Sequence, residues 1–221
     1  MKFGLFFTTV FFTGFLMIHS PVSAAPIGVP GATVGKDQST VGLEFNFLLD
    51  RDLDGAPDTE GMTVLAKGQV GLTQRVDLLY RFGFGRFESN GKDSDAGPAF
   101  GVGAKVTWAA IDNIRLKIGS VAQMLQIRAD KDGTRMAFKE YDFALGVYLD
   151  SGTAASLEKR ALLTTYGGLA FSAVEVAGAL EDNSVGVFAG LLMKMNQTTE
   201  IGAELRFIDQ TALAVYANFA F

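Results

Sequence analysis

Apolar and polar residues alternate along most of this chain, in ten stretches between Thr40 and the last residue. Because successive side chains of a β-strand point to opposite faces, each stretch predicts a strand with one apolar and one polar face. The first stretch places large apolar residues at every second position, namely Val41, Leu43, Phe45, Phe47 and Leu49. The predicted strands lie around residues 41–49, 62–70, 76–85, 100–108, 114–119, 140–149, 161–173, 185–194, 201–207 and 213–221.

The lengths and connections of these stretches favour a barrel that spans a membrane. A tilted strand needs about 9–11 residues to cross a bilayer, and short turns alternate with longer polar loops in outer-membrane barrels. We therefore predict an all-β fold, a transmembrane antiparallel up-and-down β-barrel of ten strands. Eight strands are the alternative if residues 151–184 have been misassigned. A soluble barrel is a further alternative, and it would hide its apolar face inside.

Aromatic residues on the apolar face support the membrane alternative, because they gather at the two interfaces of transmembrane barrels. If the short turns lie in the periplasm and the long loops outside, the direction of each strand is fixed, and these directions predict two aromatic rims. The outer rim would contain Phe47, Phe84, Phe100, Tyr141, Phe171 and Phe207. The periplasmic rim would contain Trp108, Phe219 and Phe221.

The first 24 residues predict a cleaved signal peptide. Lys2 is followed by an apolar run, and Val22, Ser23 and Ala24 supply the small residues of a cleavage site. Cleavage after Ala25 fits equally well. Residues 25–39, rich in Gly, Pro and Ala, predict a flexible periplasmic leader, and residues 40–221 the outer-membrane β-barrel. An even number of strands would place both the N- and the C-terminus in the periplasm.

Composition narrows the possible functions. The chain has no cysteine, and its one histidine, His19, would leave with the signal peptide. Loss of Lys2 would change the formal net charge from −5 to −6, which gives no electrostatic basis for binding nucleic acid. Without histidine as general base, and with no acid pair better placed for catalysis than for salt bridges, we predict that the chain is not an enzyme.

Two segments resemble known features of small outer-membrane barrels. Residues 71–78 resemble a short periplasmic hairpin, and Tyr216, Phe219 and Phe221 resemble the C-terminal assembly signal, which ends in an aromatic residue. With the strand pattern, nearly the whole chain resembles the superfamily of eight- to ten-stranded, porin-like or OmpA-like barrels, without a peptidoglycan-binding domain. The resemblance implies a monomer in the outer membrane of a Gram-negative cell envelope. Its implied partners are outer-membrane lipid, lipopolysaccharide, periplasmic chaperones and the barrel-assembly machinery.

The polar face would carry twelve charged residues into the lumen. Those predicted to line a constriction are Glu44, Lys67, Asp77, Arg81, Lys105, Arg115, Lys117, Glu204 and Arg206, and the others are Glu140, Asp142 and Lys194. Because an unpaired charge is costly at low dielectric, salt bridges across the lumen are expected. This predicts a filled barrel with a structural or surface-interaction role. The alternative is a narrow channel for small hydrophilic solutes that weakly favours anions.

The first outer loop suggests a divalent-cation site. Asp50, Asp52 and Asp54, followed by Gly55, match the first half of a calcium loop, in which oxygen ligands stand at alternate positions. Glu60 would have to supply the closing carboxylate, and it lies one position too early. We therefore predict either a Ca²⁺ site in this loop or a solvated acidic loop.

Overall fold

The computed structural model describes residues 25–51, 59–89, 92–131, 133–150, 162–176, 179–208 and 210–221. These residues form eleven strands and no helix that is long and apolar enough to cross a membrane. The predicted signal peptide lies outside the described residues. The strands are β1 (Ser39–Arg51), β2 (Thr59–Gly71), β3 (Val76–Ser89), β4 (Lys92–Asp93), β5 (Gly97–Ile111), β6 (Leu116–Lys131), β7 (Thr134–Asp150), β8 (Leu162–Val176), β9 (Ala179–Lys194), β10 (Thr199–Phe207) and β11 (Gln210–Ala220).

Ten of these strands form one closed antiparallel barrel. Each pairs with its neighbours in the sequence, and β1 also pairs with β11, so that the first and last strands close the sheet. The two-residue strand β4 only extends the end of β3. Closure gives every strand two partners and leaves no sheet edge, which backbone groups in a bilayer require. The predicted ten-stranded fold is confirmed.

The apolar residues of the alternating pattern face outward, and the polar residues face the lumen. Phe82, Phe84 and Val102 are 61, 66 and 49% exposed, whereas Glu44 and Asp77 on the opposite face are fully buried. A soluble barrel would show the reverse arrangement. The outward face is therefore suited to contact with lipid.

The two ends of the barrel differ. The turn end contains the tight turns at residues 72–75, 112–115 and 195–198, together with the start of β1 and the end of β11. The other end, called the far end below, contains the strand termini at Lys131 and Val176. At this end β6 pairs with β7 as far as Lys131 and Thr134, and β8 pairs with β9 as far as Val176 and Ala179. The sequence pattern predicts long loops at these positions.

Candidate functional site

Residues 25–34 lie inside the barrel, and we call them the N-terminal plug. Ala25, Ile27 and Val29 are at most 3% exposed. The plug runs from the far half of the lumen towards the turn end, where Asp37 donates a hydrogen bond to the carbonyl of Gly71 before β1 begins. The structure thus differs from the expected flexible periplasmic leader, because side chains of the lumen bind this segment.

Two acidic residues each hold a pair of adjacent backbone amides of the plug. Glu204 accepts hydrogen bonds from the amides of Ile27 (2.8 Å) and Gly28 (2.7 Å). Asp77 accepts from the amides of Thr33 (2.6 Å) and Val34 (3.1 Å), nearer the turn end. Hydrogen bonds to charged acceptors are stronger than neutral ones, so these residues anchor the plug at two depths.

Cationic and amide side chains bind the carbonyl groups of the plug. Arg81 donates to the carbonyl of Pro26 (2.8 Å), and Lys105 donates to that of Val29 (3.1 Å). Gln123 donates to the carbonyls of Ala25 and Pro26, and Arg206 also donates to that of Ala25. Buried backbone groups need partners, and lumen side chains supply them here in place of a neighbouring strand.

The composition of the plug fits a narrow lumen. Pro26 and Pro30 have no N–H group, so two positions need no hydrogen-bond acceptor. Gly119 and Gly146 make room for the plug in the wall, because a Cβ at Gly119 would collide with the carbonyl of Pro30 and one at Gly146 would lie 2.9 Å from the Pro30 ring. The wall is therefore shaped around Pro30.

Two apolar clusters fill the space that the polar groups leave. In the turn-end half, Ile27 and Val29 pack with wall residues that include Tyr148, Tyr166 and Phe188. The second cluster, called the far-end cluster below, contains Ala25, Leu48, Leu65, Phe87, Ala99, Leu125, Ile127, Ala129, Phe138, Val174 and Ala212. The lumen therefore contains apolar packing as well as the expected salt bridges.

The buried charges form two linked groups around the plug. Arg206 lies 3.3 Å from Glu140 and 3.0 Å from Asp142. Glu44 lies 3.0 Å from Arg81 and 3.6 Å from Lys67. The Gln123 side chain joins the groups, since it accepts from Arg81 (3.0 Å) and donates to Asp142 (2.9 Å).

The structure brings together seven of the nine residues predicted for the constriction, namely Glu44, Lys67, Asp77, Arg81, Lys105, Glu204 and Arg206. Lys117 lies at the turn-end mouth, where its Nζ is 5.4 Å from the Tyr148 ring. Arg115 does not line the lumen. It is exposed in the turn at residues 112–115 with a φ of 54°, because β6 begins at Leu116 and not at Ile114 as the alternation indicates.

The predicted calcium loop is largely outside the described residues. Asp52 and Asp54 fall in the undescribed range, as does the side chain of Asp50. Glu60 belongs to β2 and pairs in register with Glu88 of β3. No cluster of three potential metal-ligating side chains occurs within the described ranges. The Ca²⁺ site stays a prediction.

The last strand follows the predicted alternation. Phe219 and Phe221 face outward, 41 and 82% exposed. Tyr216 faces the lumen, where its hydroxyl lies 2.9 Å from that of Tyr166, and Tyr166 in turn donates to Glu204 (3.1 Å). Tyr216 therefore contributes to the polar network of the lumen. The role of these three residues as an assembly signal stays a prediction.

Comparison with known proteins identifies the fold but no family. No family model matches the chain, and no curated protein matches it. Among solved structures, the beta domain of the Bordetella autotransporter BrkA has a TM-score of 0.54 at 11% identity, with 84% of this chain and 100% of that chain covered.

Two other solved structures have lower scores. The translocator domain of the autotransporter NalP from Neisseria meningitidis has a TM-score of 0.45 at 11% identity, over 85% of this chain and 89% of that one. An outer-membrane channel from Pseudomonas putida F1 has a TM-score of 0.45 at 10% identity, over 90% and 100%. Together with the closed ten-stranded sheet and its apolar outer face, the BrkA likeness shows that this chain has the fold of a small outer-membrane β-barrel.

Proposed function

We propose that this chain is an integral outer-membrane protein whose barrel is closed by its own N-terminal plug and acts as a structural or surface-interaction element. The observation that carries the proposal is the binding of the plug by Glu204, Asp77, Arg81 and Lys105. The charged side chains that would attract solutes into an open lumen are occupied by the backbone of the plug. An open diffusion channel would need these groups to face water.

The outward face supports insertion in a membrane, with the turn end towards the periplasm. Tilted strands of about 9–11 residues suffice to cross a bilayer, whereas β6 has 16 residues and β7 has 17. Their excess length would project from the far end at the cell surface. In this orientation the partners of the barrel would be outer-membrane lipid and lipopolysaccharide. The barrel would act as a monomer.

Conductance in planar bilayers tests the closed barrel. Folded protein, identified by its heat-modifiable migration in gels, should give no stepwise current above the baseline. A stable current from the same folded sample would contradict the proposal. Porin of known conductance, reconstituted in parallel, shows that the assay detects an open barrel.

A second candidate is a channel that opens when the plug leaves. Release of the plug would not disrupt the sheet, because lumen side chains, and not strand pairing, supply the hydrogen-bond partners from Ala25 to Val34. Lys117 lies at the turn-end mouth and would favour anions there, whereas Lys194 at the same mouth lies 3.9 Å from Glu200. Current that appears only in variants with a weakened plug would support this second function.

A further inference from the structure

A small cavity lies between the N-terminal plug and the wall of the barrel. Its volume is about 20 Å³, and its lining includes Lys67, Lys105, Gln69 and Asn218 of the wall and Gly28 of the plug. A volume of about 10–15 Å³ suffices for one water-sized group. The cavity therefore fits a single water molecule or a monatomic ion, and no larger ligand.

The ammonium group of Lys105 has few partners, although the residue is only 6% exposed. It donates to the carbonyl of Val29 (3.1 Å), and it forms no salt bridge with a described residue. Because an ammonium group has three N–H donors, two of them have no acceptor in the described part of the chain. Unpaired buried donors and charges are costly, so Lys105 favours an acceptor in the adjoining cavity.

Lys67 brings a second ammonium group to the same cavity. Its Nζ lies 3.6 Å from Oε2 of Glu44 and 4.1 Å from the centre of the Tyr216 ring. Glu44 also binds Arg81 at 3.0 Å, so this carboxylate is divided between two cations. The lining of the cavity thus presents two ammonium groups to whatever occupies it.

Glu200 is the carboxylate in the lining of the cavity. It lies 3.9 Å from Lys194, a third lysine, which is outside this lining. Its charge is therefore shared with a cation at the turn-end mouth. The lining favours an anion over a cation, because two ammonium groups face this one carboxylate.

Two further residues adapt the cavity to an anion. Gly28 has a φ of 68°, and a Cβ at this position would lie 2.9 Å from Nζ of Lys105, so glycine keeps the space beside the ammonium group open. Oδ1 of Asn218 is buried and has no partner among the described residues. Since the orientation of an amide is assigned from its hydrogen bonds, Asn218 is able to turn its NH₂ group towards an anion.

We propose that this cavity binds one chloride ion, which joins Lys67 and Lys105 and stabilises the plug inside the barrel. The ion would accept hydrogen bonds from both ammonium groups and offset their charge, which keeps Lys105 beside the carbonyl of Val29. A water molecule would accept hydrogen bonds without offsetting the charge. This inference rests on the closed barrel of the proposed function, because the plug forms part of the cavity.

The test compares chloride with gluconate at equal ionic strength in the folded barrel. The chain has no cysteine, so Ile27→Cys in the buried plug gives a single site whose labelling by a water-soluble maleimide measures plug release. An ion that binds only the closed state lowers the open population, and chloride at about ten times its Kd should slow labelling about tenfold. Bromide should act like chloride, whereas gluconate is too large for the cavity. Crystals grown in bromide should show an anomalous scattering peak beside Nζ of Lys105.

Two variants of the lining should abolish the difference between the salts in opposite ways. Lys105→Met removes a ligand of the ion and the donor to the carbonyl of Val29, so labelling should be fast in both salts. Asn218→Asp supplies a carboxylate in place of the ion, so labelling should be slow in both salts. Lys36→Met is the matched control, because this lysine is exposed beyond the plug, and it should keep the tenfold difference.

Equal labelling of Ile27→Cys in chloride and gluconate, with no bromide peak, would mean that the cavity holds water only and would overturn the inference. A chloride effect that persists in both K105M and N218D would overturn it as well, since the ion would then bind elsewhere. If K105M does not fold, N218D and the bromide peak decide. These results leave the closed barrel standing, whereas current through the unmodified protein would overturn the proposed function itself.

Discussion

The barrel wall and the N-terminal plug are both extended chain, but their backbone hydrogen bonds have different partners. In the wall, each strand pairs with two others, and the register depends little on any one side chain. In the plug, a few side chains of the lumen supply the backbone hydrogen bonds, with Glu204 and Asp77 each accepting from two amides. Single substitutions in the lumen should therefore release the plug while the wall stays folded.

Glu204→Ala should have the largest effect on the plug. It leaves the amides of Ile27 and Gly28 without an acceptor in a fully buried position, at a cost of about 1–3 kcal/mol for each donor. The chain has no cysteine, so Val29→Cys in the buried plug gives a single site whose labelling by a water-soluble maleimide reports plug release. In the Glu204 variant this labelling of the folded barrel should accelerate strongly, and current through the same variant would support the second candidate function. Glu200→Ala, on the same strand but at the turn-end mouth, is the control and should label at the original rate. Unchanged labelling of the Glu204 variant would contradict the anchoring role.

Leu145→Arg should destabilise the barrel wall without changing the contacts of the plug. Leu145 is outward-facing and 44% exposed in the middle of β7, and an arginine facing lipid near the bilayer midplane costs about 2–4 kcal/mol. Denaturant unfolding in lipid vesicles should show this loss of stability. Gln197→Arg, in an exposed turn, should change stability little. Equal stability of the two variants would mean that this face does not contact lipid.

Asp77→Ala should weaken the plug less than Glu204→Ala. Both residues hold two adjacent amides, but those of Thr33 and Val34 lie near the turn end, where water can replace the carboxylate. Because a solvated donor avoids most of the cost of losing its partner, about 1–3 kcal/mol when buried, labelling at Val29→Cys should rise only slightly. Release as strong as with Glu204→Ala would show that depth in the lumen does not set the strength of the anchor.

Phe221→Ala should have the smallest effect on the folded protein. Phe221 is 82% exposed, so its loss should change the free energy of unfolding of the assembled barrel little. If Phe221 belongs to the predicted assembly signal, however, Phe221→Ala should lower the yield of folded barrel in outer membranes. Leu72→Ala, another exposed apolar residue at the turn end, is the control and should assemble normally. Equal yields of the two variants would contradict the assembly role.

The sequence pattern predicted most of the wall because its information is local. Val102 and Phe84 face outward and Glu44 inward simply because side chains alternate along a strand. The error at Arg115 arose where that rule stops, since the alternation continues through a turn that places the side chain outside. The pattern also underestimated the extent of β6 and β7, because polar residues at the far ends of paired strands look like those of a loop.

The plug could not be predicted in the same way. Residues 25–34 have no periodicity, and Pro and Gly in a short segment are typical of mobile chain. The same residues also suit a buried peptide, since Pro26 and Pro30 need no acceptor for an N–H group. Only their contacts with β2, β3, β5, β6, β7 and β10 distinguish these cases. The signals that could have suggested it are the spacing of Pro26 and Pro30 and the many charged residues on the polar face, which need partners once they are buried.

The strand order, the outward apolar face and the identity of most lumen charges follow from the order of residues alone, because alternation along a strand is independent of distant residues. What fills the lumen depends on contacts between residues far apart in the chain. Glu140, Glu204 and Asp77 come from three different strands and become a binding site only when the barrel closes around Ala25 to Val34. A peptide without strand partners gains its conformation from such distant side chains, and no local pattern records them.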